Sequence, residues 1–277
     1  MLNVVDISET NLEDFFKVCE NAFTICSRNK SDLFLYKKGV EVRKKWLINM
    51  LEQHGPCAKI AYIEGKPMAQ IQFSPEETIP FIKDPRRDVI TILCLYNPYP
   101  AAQRKGIATA LVNDLVEECK TGLRCIGGRP SRFIVTLPFP ILRGQSYLNL
   151  YKKMGFKQGH KEMYLEINGD YVKRENPEYH PVSEDKDSAI FFYNPACGWG
   201  KYYALKFKEI IQDMDSNQPI EICNIWERPE EHIRRSLQRV TSGRPIIKGQ
   251  RISGGEFWTN REAFLQEIRN KLKNKTL

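Results

Sequence analysis

Gln103-Arg104-Lys105-Gly106-Ile107-Ala108 is the stretch on which the reading of this chain turns. Before it runs Val89-Ile90-Thr91-Ile92-Leu93-Cys94-Leu95-Tyr96, apolar and rich in β-branched residues, with no Gly or Pro. Such a run reads as a buried strand, and Pro98 and Pro100 end it. After it comes Thr109 to Cys119, with Leu111, Val112, Leu115 and Val116 at helical spacing and carboxylates on the other face. The hexapeptide is therefore a turn from strand to helix, with Gly106 where the backbone must bend or lie close to something. The first amides of a helix have no partner inside it, and the helix dipole makes that end positive. With Arg104 and Lys105 beside it, the turn is a candidate seat for a pyrophosphate.

The spacing is neither that of a P-loop nor that of the dinucleotide fingerprint. It resembles the Gln/Arg-x-x-Gly-x-Gly/Ala signature of the GCN5-related N-acetyltransferases (GNAT), with Gln103, Gly106 and Ala108 in the defining places. A second run, Leu150-Tyr151-Lys152-Lys153-Met154-Gly155-Phe156, is similar to the Leu-Tyr-x-x-x-Gly-Phe run that closes the fourth helix of that family. Two signatures in the right order say more than either alone.

The order of elements agrees. The residues predict a strand at 2–7, a helix from Asn11, a polar irregular stretch to Leu35, and a helix from Lys38 to His54. Strands follow at Ala58–Ile63 and Met68–Ser74, then the central strand and the motif helix. A strand at 133–137, a short helix at 146–154 closed by Gly155, and a last strand at 163–167 complete the set. This is β-α-α-β-β-β-turn-α-β-α-β, the order of the GNAT fold, over residues 1–172.

The resemblance implies an acetyl-CoA-dependent N-acetyltransferase, in which the amine of a small molecule or peptide attacks the thioester directly. It implies that Gln103, Arg104, Lys105, Gly106, Ile107, Ala108 and Thr109 hold the cosubstrate's pyrophosphate. It places a backbone donor for the thioester carbonyl near the end of the central strand. Pro98 has no amide to give, which leaves Leu95 or Tyr96. It places Tyr151 as the general acid for the departing thiolate, and an unperturbed phenol pKa of about 10 keeps that group protonated at neutral pH. Where many relatives carry Asn seven residues before the tyrosine, this chain has Gly144. Glu76, Glu77 and Asp88 flank the central strands as weak candidates for a base.

Tyr171 to Asp187 is polar, with Pro177, Pro181 and several acidic residues, and reads as a linker over 173–187. From 188 to 277 the pattern predicts β-α-β-α-β-β-α. That order resembles a thioredoxin-like fold, with Cys197 of Cys-Gly-Trp-Gly at the mouth of a helix and Arg244-Pro245 before the third strand. Gly200 stands where a second redox cysteine would be, which resembles monothiol forms. A GNAT domain with such a tail is also similar to bacterial proteins of the YoaP-like type. The fold class is thus α/β throughout, a GNAT domain with a smaller thioredoxin-like one.

Composition sets limits. The 277 residues are 42% hydrophobic and 27% charged, as in ordinary globular protein. The net charge of +8 comes from scattered residues, without the basic block or stripe that would mark a nucleic-acid protein. No run is long and apolar enough for a membrane span, and the N-terminus does not read as a signal peptide. Eight cysteines, none in Cys-x-x-Cys pairs, and four scattered His argue against a zinc site and for a reduced, cytoplasmic protein. Two further readings stay open: a thiol or redox protein working through Cys197, and a regulatory protein that binds coenzyme A without turning it over.

Overall fold

The computed structural model describes residues 1–26, 30–137, 147–175, 178–237, 245–252 and 260–273; of 21–26 and 30–31 it describes the backbone alone. The chain is mixed α/β and divides into two compact units. One holds Met1–Arg28 and Lys44–Glu175, the other Asn29–Arg43 and Asn176–Leu277.

The first unit is built on a seven-stranded sheet. Its strands are β1 (Leu2–Asp6), β2 (Ala58–Ile63), β3 (Lys66–Pro75), β4 (Val89–Tyr96), β5 (Phe133–Thr136), β6 (Lys157–Gln158) and β7 (Met163–Glu166). They lie in the order β1-β2-β3-β4-β5-β7-β6, antiparallel except for the parallel pair β4 and β5. Glu64 and Gly65 make the two-residue loop between β2 and β3, both at positive φ, as a turn matching strand twist requires. Four helices accompany the sheet: α1 (Leu12–Cys26), α2 (Lys30–His54), α3 (Ile107–Thr121) and α4 (Tyr147–Lys153). This is the element order expected from the sequence, with the two-residue β6 added before the last strand.

The main core lies where α3 covers the sheet. Leu111, Val112, Leu115 and Cys119 of α3 are buried together with Ile71 and Phe73 of β3 and Ile90 and Ile92 of β4. Each aliphatic side chain so buried contributes about 1.5–3 kcal/mol. That anchoring fixes the start of α3 against the end of β4.

The helices at 12–54 differ from expectation. The irregular stretch read up to Leu35 is largely helical: α1 runs to Cys26 and α2 starts at Lys30. The first half of α2 belongs with the second unit, where Leu35 and Tyr36 are buried. Their partners are far away in sequence, so no clean local period marks them.

The second unit holds β8 (Ala189–Tyr193), α5 (Gly198–Met214), β9 (Ile220–Asn224), α6 (Pro229–Arg234), β10 (Ile246–Ile247), β11 (Gln250–Arg251) and α7 (Arg261–Lys273). Its sheet has the order β11-β10-β8-β9, with β8 and β9 parallel and β10 antiparallel to both β8 and β11. Phe191, Phe207, Ile211, Ile247, Phe264 and Ile268 form its core. Part of the stretch read as a linker has structure of its own. Residues 183–187 make a 3-10 turn in which Asp185 is fully buried and takes bonds from Arg235 at 2.7 and 2.9 Å.

Candidate active site

The turn between β4 and α3 has the geometry of an anion seat. A short 3-10 turn at Pro100–Ala102 delivers the chain to Gln103, whose amide bonds the carbonyls of Tyr99 and Pro100, both at 3.2 Å. Arg104 has φ +61 and Gly106 φ +75. For Arg104 the left-handed region is strained, and Gly106 meets it without cost. α3 then starts at Ile107, which is buried and pins the first turn. No side chain caps the helix; Ala110 is the first residue of it whose amide bonds the turn behind, to the Gly106 carbonyl at 2.8 Å. The amides of Gly106, Ile107, Ala108 and Thr109 are the orphan donors of a helix start. Arg104, Lys105 and Gly106 are exposed, and among the described residues nothing lies within 4 Å of a Cβ built on Gly106. Amides, two cations and clear space together fit a pyrophosphate.

β4 and β5 pair from Val89 with Phe133 to Ile92 with Thr136. At that point β4 carries a bulge: Ile92 faces Phe73 and Cys94 faces Gln72, with Leu93 the extra residue. From Leu93 to Tyr96, β4 pairs with β3 alone among the described residues. Leu95 and Tyr96 lie on this last part of β4, past the bulge. Bulges of this kind re-aim a strand next to a site. The sequence shows no sign of it, because a bulge is a relation between two strands.

Tyr151 lies on α4 and is 2% exposed, its ring 5.0 Å from that of Phe156. Burial pushes its pKa up, against a hydrogen bond with the Thr136 side chain that lowers it. Four residues earlier, Tyr147 shares its face of the helix, the ring centroids 6.4 Å apart. Burial raises the pKa of Tyr147 as well, while the backbone of Asn97 just past β4 pulls it the other way. Both phenols feel Cys94 of β4. Tyr147 is absent from the residues singled out in the sequence; its spacing to Tyr151 was the available signal. Gly144 lies outside the described residues.

The three carboxylates weighed as bases are engaged elsewhere. Glu76 is fully buried, takes the Arg86 Nε at 2.8 Å and pairs with Arg174. Glu77 accepts the Asp88 amide at 2.9 Å. Asp88 binds Arg129 at 2.7 Å. Each has a structural duty.

In the second unit Cys197 is half-buried and stands at the N-cap of α5 with extended backbone. Its carbonyl accepts the Gly200 amide at 3.0 Å. The first turn of α5 is covered from within this unit. Tyr36 lies 4.8 Å from Trp199, and a Cβ on Gly39 would come 2.0 Å from the Gly198 carbonyl oxygen. Arg244, which precedes Pro245, is outside the described residues. No described helix is long and apolar enough to cross a membrane.

No family model matches the chain, and no curated protein matches it. Solved structures do. The chain is similar to a GNAT family acetyltransferase from Brucella melitensis in complex with acetyl-CoA, at 15% identity and TM-score 0.40, covering 63% of this chain and 94% of that one. It is similar to the ribosomal-protein-S18-alanine N-acetyltransferase of Escherichia coli, at 15% identity and TM-score 0.40, covering 65% and 100%. It is also similar to the PaiA N-acetyltransferase of Thermoplasma acidophilum in complex with coenzyme A, at 13% identity and TM-score 0.40, covering 60% and 98%. At such values the chemistry of this chain stands on its own residues.

Proposed function

We propose that the first unit is an acetyl-CoA-dependent N-acetyltransferase acting on an amine of a small molecule or peptide. One observation carries the reading: an uncapped, exposed helix start with two cations follows a strand that bulges near its end. Acetyl-CoA, when bound, supplies an acyl group activated as a thioester. The amides of Gly106 to Thr109, with the charges of Arg104 and Lys105, hold its pyrophosphate, and Gln103 steadies the turn through Asn97. The Leu95 or Tyr96 amide near the end of β4 holds the carbonyl oxygen where negative charge develops. Tyr151, at the motif position on α4, is the proton source for the leaving thiolate. Glu76, Glu77 and Asp88 are each engaged in structure, so none of these three is assigned as a base.

The sheet order of the second unit, with its first strand central and flanked by a parallel and an antiparallel partner, supports reading it as thioredoxin-like and of the YoaP-like type. The N-cap position of Cys197 supports a second reading, a thiol-handling protein working through that residue. It stays second, because the turn that carries Cys197 is packed over while the α3 turn is clear.

Calorimetric titration of the full chain with acetyl-CoA and with free coenzyme A, and thiol release from acetyl-CoA against a panel of amines, test the proposal. Binding and amine-dependent thiol release are expected. Binding without release against any amine would leave a coenzyme A sensor instead. No binding of either ligand would sink the assignment of the turn.

A further inference from the structure

The end of β4 and the start of α3 are joined by residues 97–103, and a two-way clasp closes that loop. The Asn97 side-chain amide donates to the Ala102 carbonyl at 3.2 Å. The Gln103 side chain donates to the Asn97 carbonyl at 3.4 Å. The first residue past β4 is thus tied across the loop to the first residue of the anion seat. The loop has local support besides. Pro98 and Pro100 have φ preset by their rings. Ala102 is buried, its amide bonds the Tyr99 carbonyl at 2.9 Å, and the Gln103 amide bonds those of Tyr99 and Pro100. Asn97 does its part at a cost: its Oδ1 is buried and takes no hydrogen bond from a described residue. A buried acceptor left so is destabilising. Leucine has nearly the same shape and no such atom, so shape alone does not call for an amide here.

We propose that Asn97 is a positioning residue, which sets the spacing between the places where the acyl end and the phosphate end of the cosubstrate are held. The proposal rests on the acetyltransferase reading of this site, in which the α3 start holds the pyrophosphate and the Leu95 or Tyr96 amide the thioester carbonyl. Asn97 builds neither place. The amides of Gly106 to Thr109 are set by α3, pinned at buried Ile107, and those of Leu95 and Tyr96 by β4. The clasp fixes one against the other. A ligand that spans both gains from a preset spacing, because less freedom is lost when it binds. A ligand that touches the seat alone gains nothing from it.

Coenzyme A and ADP separate these cases, since both carry a pyrophosphate and only coenzyme A continues to β4. Each is titrated by calorimetry into the full chain and into its Asn97→Leu, Gln103→Met and double variants. Asn97→Leu is expected to weaken coenzyme A about three- to tenfold, the scale of one net hydrogen bond, and to leave ADP unchanged. Gln103→Met, which removes the longer bond, should give a smaller loss with the same split. The double variant should lose less than the sum of the two, because both bonds close one loop. Damage to the fold or to the seat itself would weaken both ligands alike, so the split is a readout that a merely structural role does not give. Equal weakening of both ligands by Asn97→Leu, or of neither, overturns the proposal while wild-type binding of coenzyme A keeps the site reading intact. Failure of the wild-type chain to bind coenzyme A removes both.

Discussion

The starts of α3 and α5 each follow a strand and each carry glycine. At α3 the glycine is Gly106, at positive φ, exposed, with clear space where a side chain would stand. At α5 the glycines are Gly198 and Gly200, and both are buried. Gly39 of α2 lies so near Gly198 that its missing Cβ is the condition of the contact, and a Cβ on Gly200 would come 2.8 Å from the Asn194 carbonyl oxygen. One turn uses glycine to leave room and the other to take room away. A helix start is a site for an anion only in the first case, although the sequence of either one advertises the same free amides.

The sharpest way to break this comparison is Gly39→Ala. On an exposed helix the change would stabilise by about 1 kcal/mol, because alanine loses less entropy on folding. Here the added methyl meets a backbone oxygen that no rotamer can move. Backbones must part, and a net loss of about 2–3 kcal/mol is expected in the second unit. Two of the described tryptophans, Trp199 and Trp226, lie in that unit. Denaturant unfolding followed by tryptophan fluorescence should show an earlier midpoint. A later one means that Gly39 and Gly198 are not in contact.

Gly106→Glu probes the other turn. The added carboxylate stands where a phosphate would sit, at the positive end of α3. Affinity for acetyl-CoA should fall by about 100-fold or more, the scale of ~3 kcal/mol from a lost anion site and a new like charge. The fold should be little disturbed, since nothing described crowds the position. Gly106→Ala separates strain from occlusion. It carries only the cost of a left-handed alanine, about 1 kcal/mol, and no charge. If Ala and Glu weaken binding equally, the turn is not where the phosphates lie.

How much of this was legible differs between the two turns for a physical reason. The α3 turn is local: strand, glycine and amphipathic helix are contiguous from Val89 to Cys119, and the motif carries its own geometry. The helix of Cys197 begins at Gly198, and its first turn is fixed by Tyr36 and Gly39, more than 150 residues earlier. Gly39 itself reads as a weakness inside a helix until its partner is known. Glu76 likewise reads as a loop carboxylate; only its pairing with Arg86 and Arg174 shows it spent on structure. Tyr147 was within reach, at helical spacing from Tyr151.

Acid should distinguish the units next. His232 of α6 is 1% exposed, edge-on to Phe192 at 5.9 Å. Burial first, and Arg251 second, push its pKa down to about 3. The unfolded imidazole titrates near 6.5, so the neutral folded form is favoured above that value. Its stabilising contribution is whole above about pH 6.5 and is lost as pH falls from there toward 3. By pH 5 the loss is about 2 kcal/mol. In the first unit His54 is shifted in the same direction by burial, but it is only partly buried. The fluorescence midpoint should therefore drop between pH 7 and 5 in the wild type and stay nearly level in His232→Gln. Equal slopes in both proteins would move the acid sensitivity elsewhere.

The smallest effect asks why Arg104 tolerates a left-handed backbone at φ +61. The side chain is exposed, and no described partner holds it in place. If the turn alone mattered, glycine would serve better, by about 1 kcal/mol of relieved strain. Arg104→Gly should then raise the thermal midpoint of the first unit by a few degrees, and Arg104→Ala should not, since alanine keeps the strain. If the charge is kept for the ligand, both variants should weaken acetyl-CoA binding by about five- to tenfold, near 1 kcal/mol, while the amides of Gly106 to Thr109 carry the remainder. The loss should shrink as salt is added, because an exposed charge is screened. Two titrations, at low and at high salt, with both variants give the answer. Binding unchanged in Arg104→Gly would mean that the cation contributes nothing and that the strain at Arg104 has another cause. Binding lost only in Arg104→Gly would mean that the left-handed turn, rather than the charge, shapes the seat.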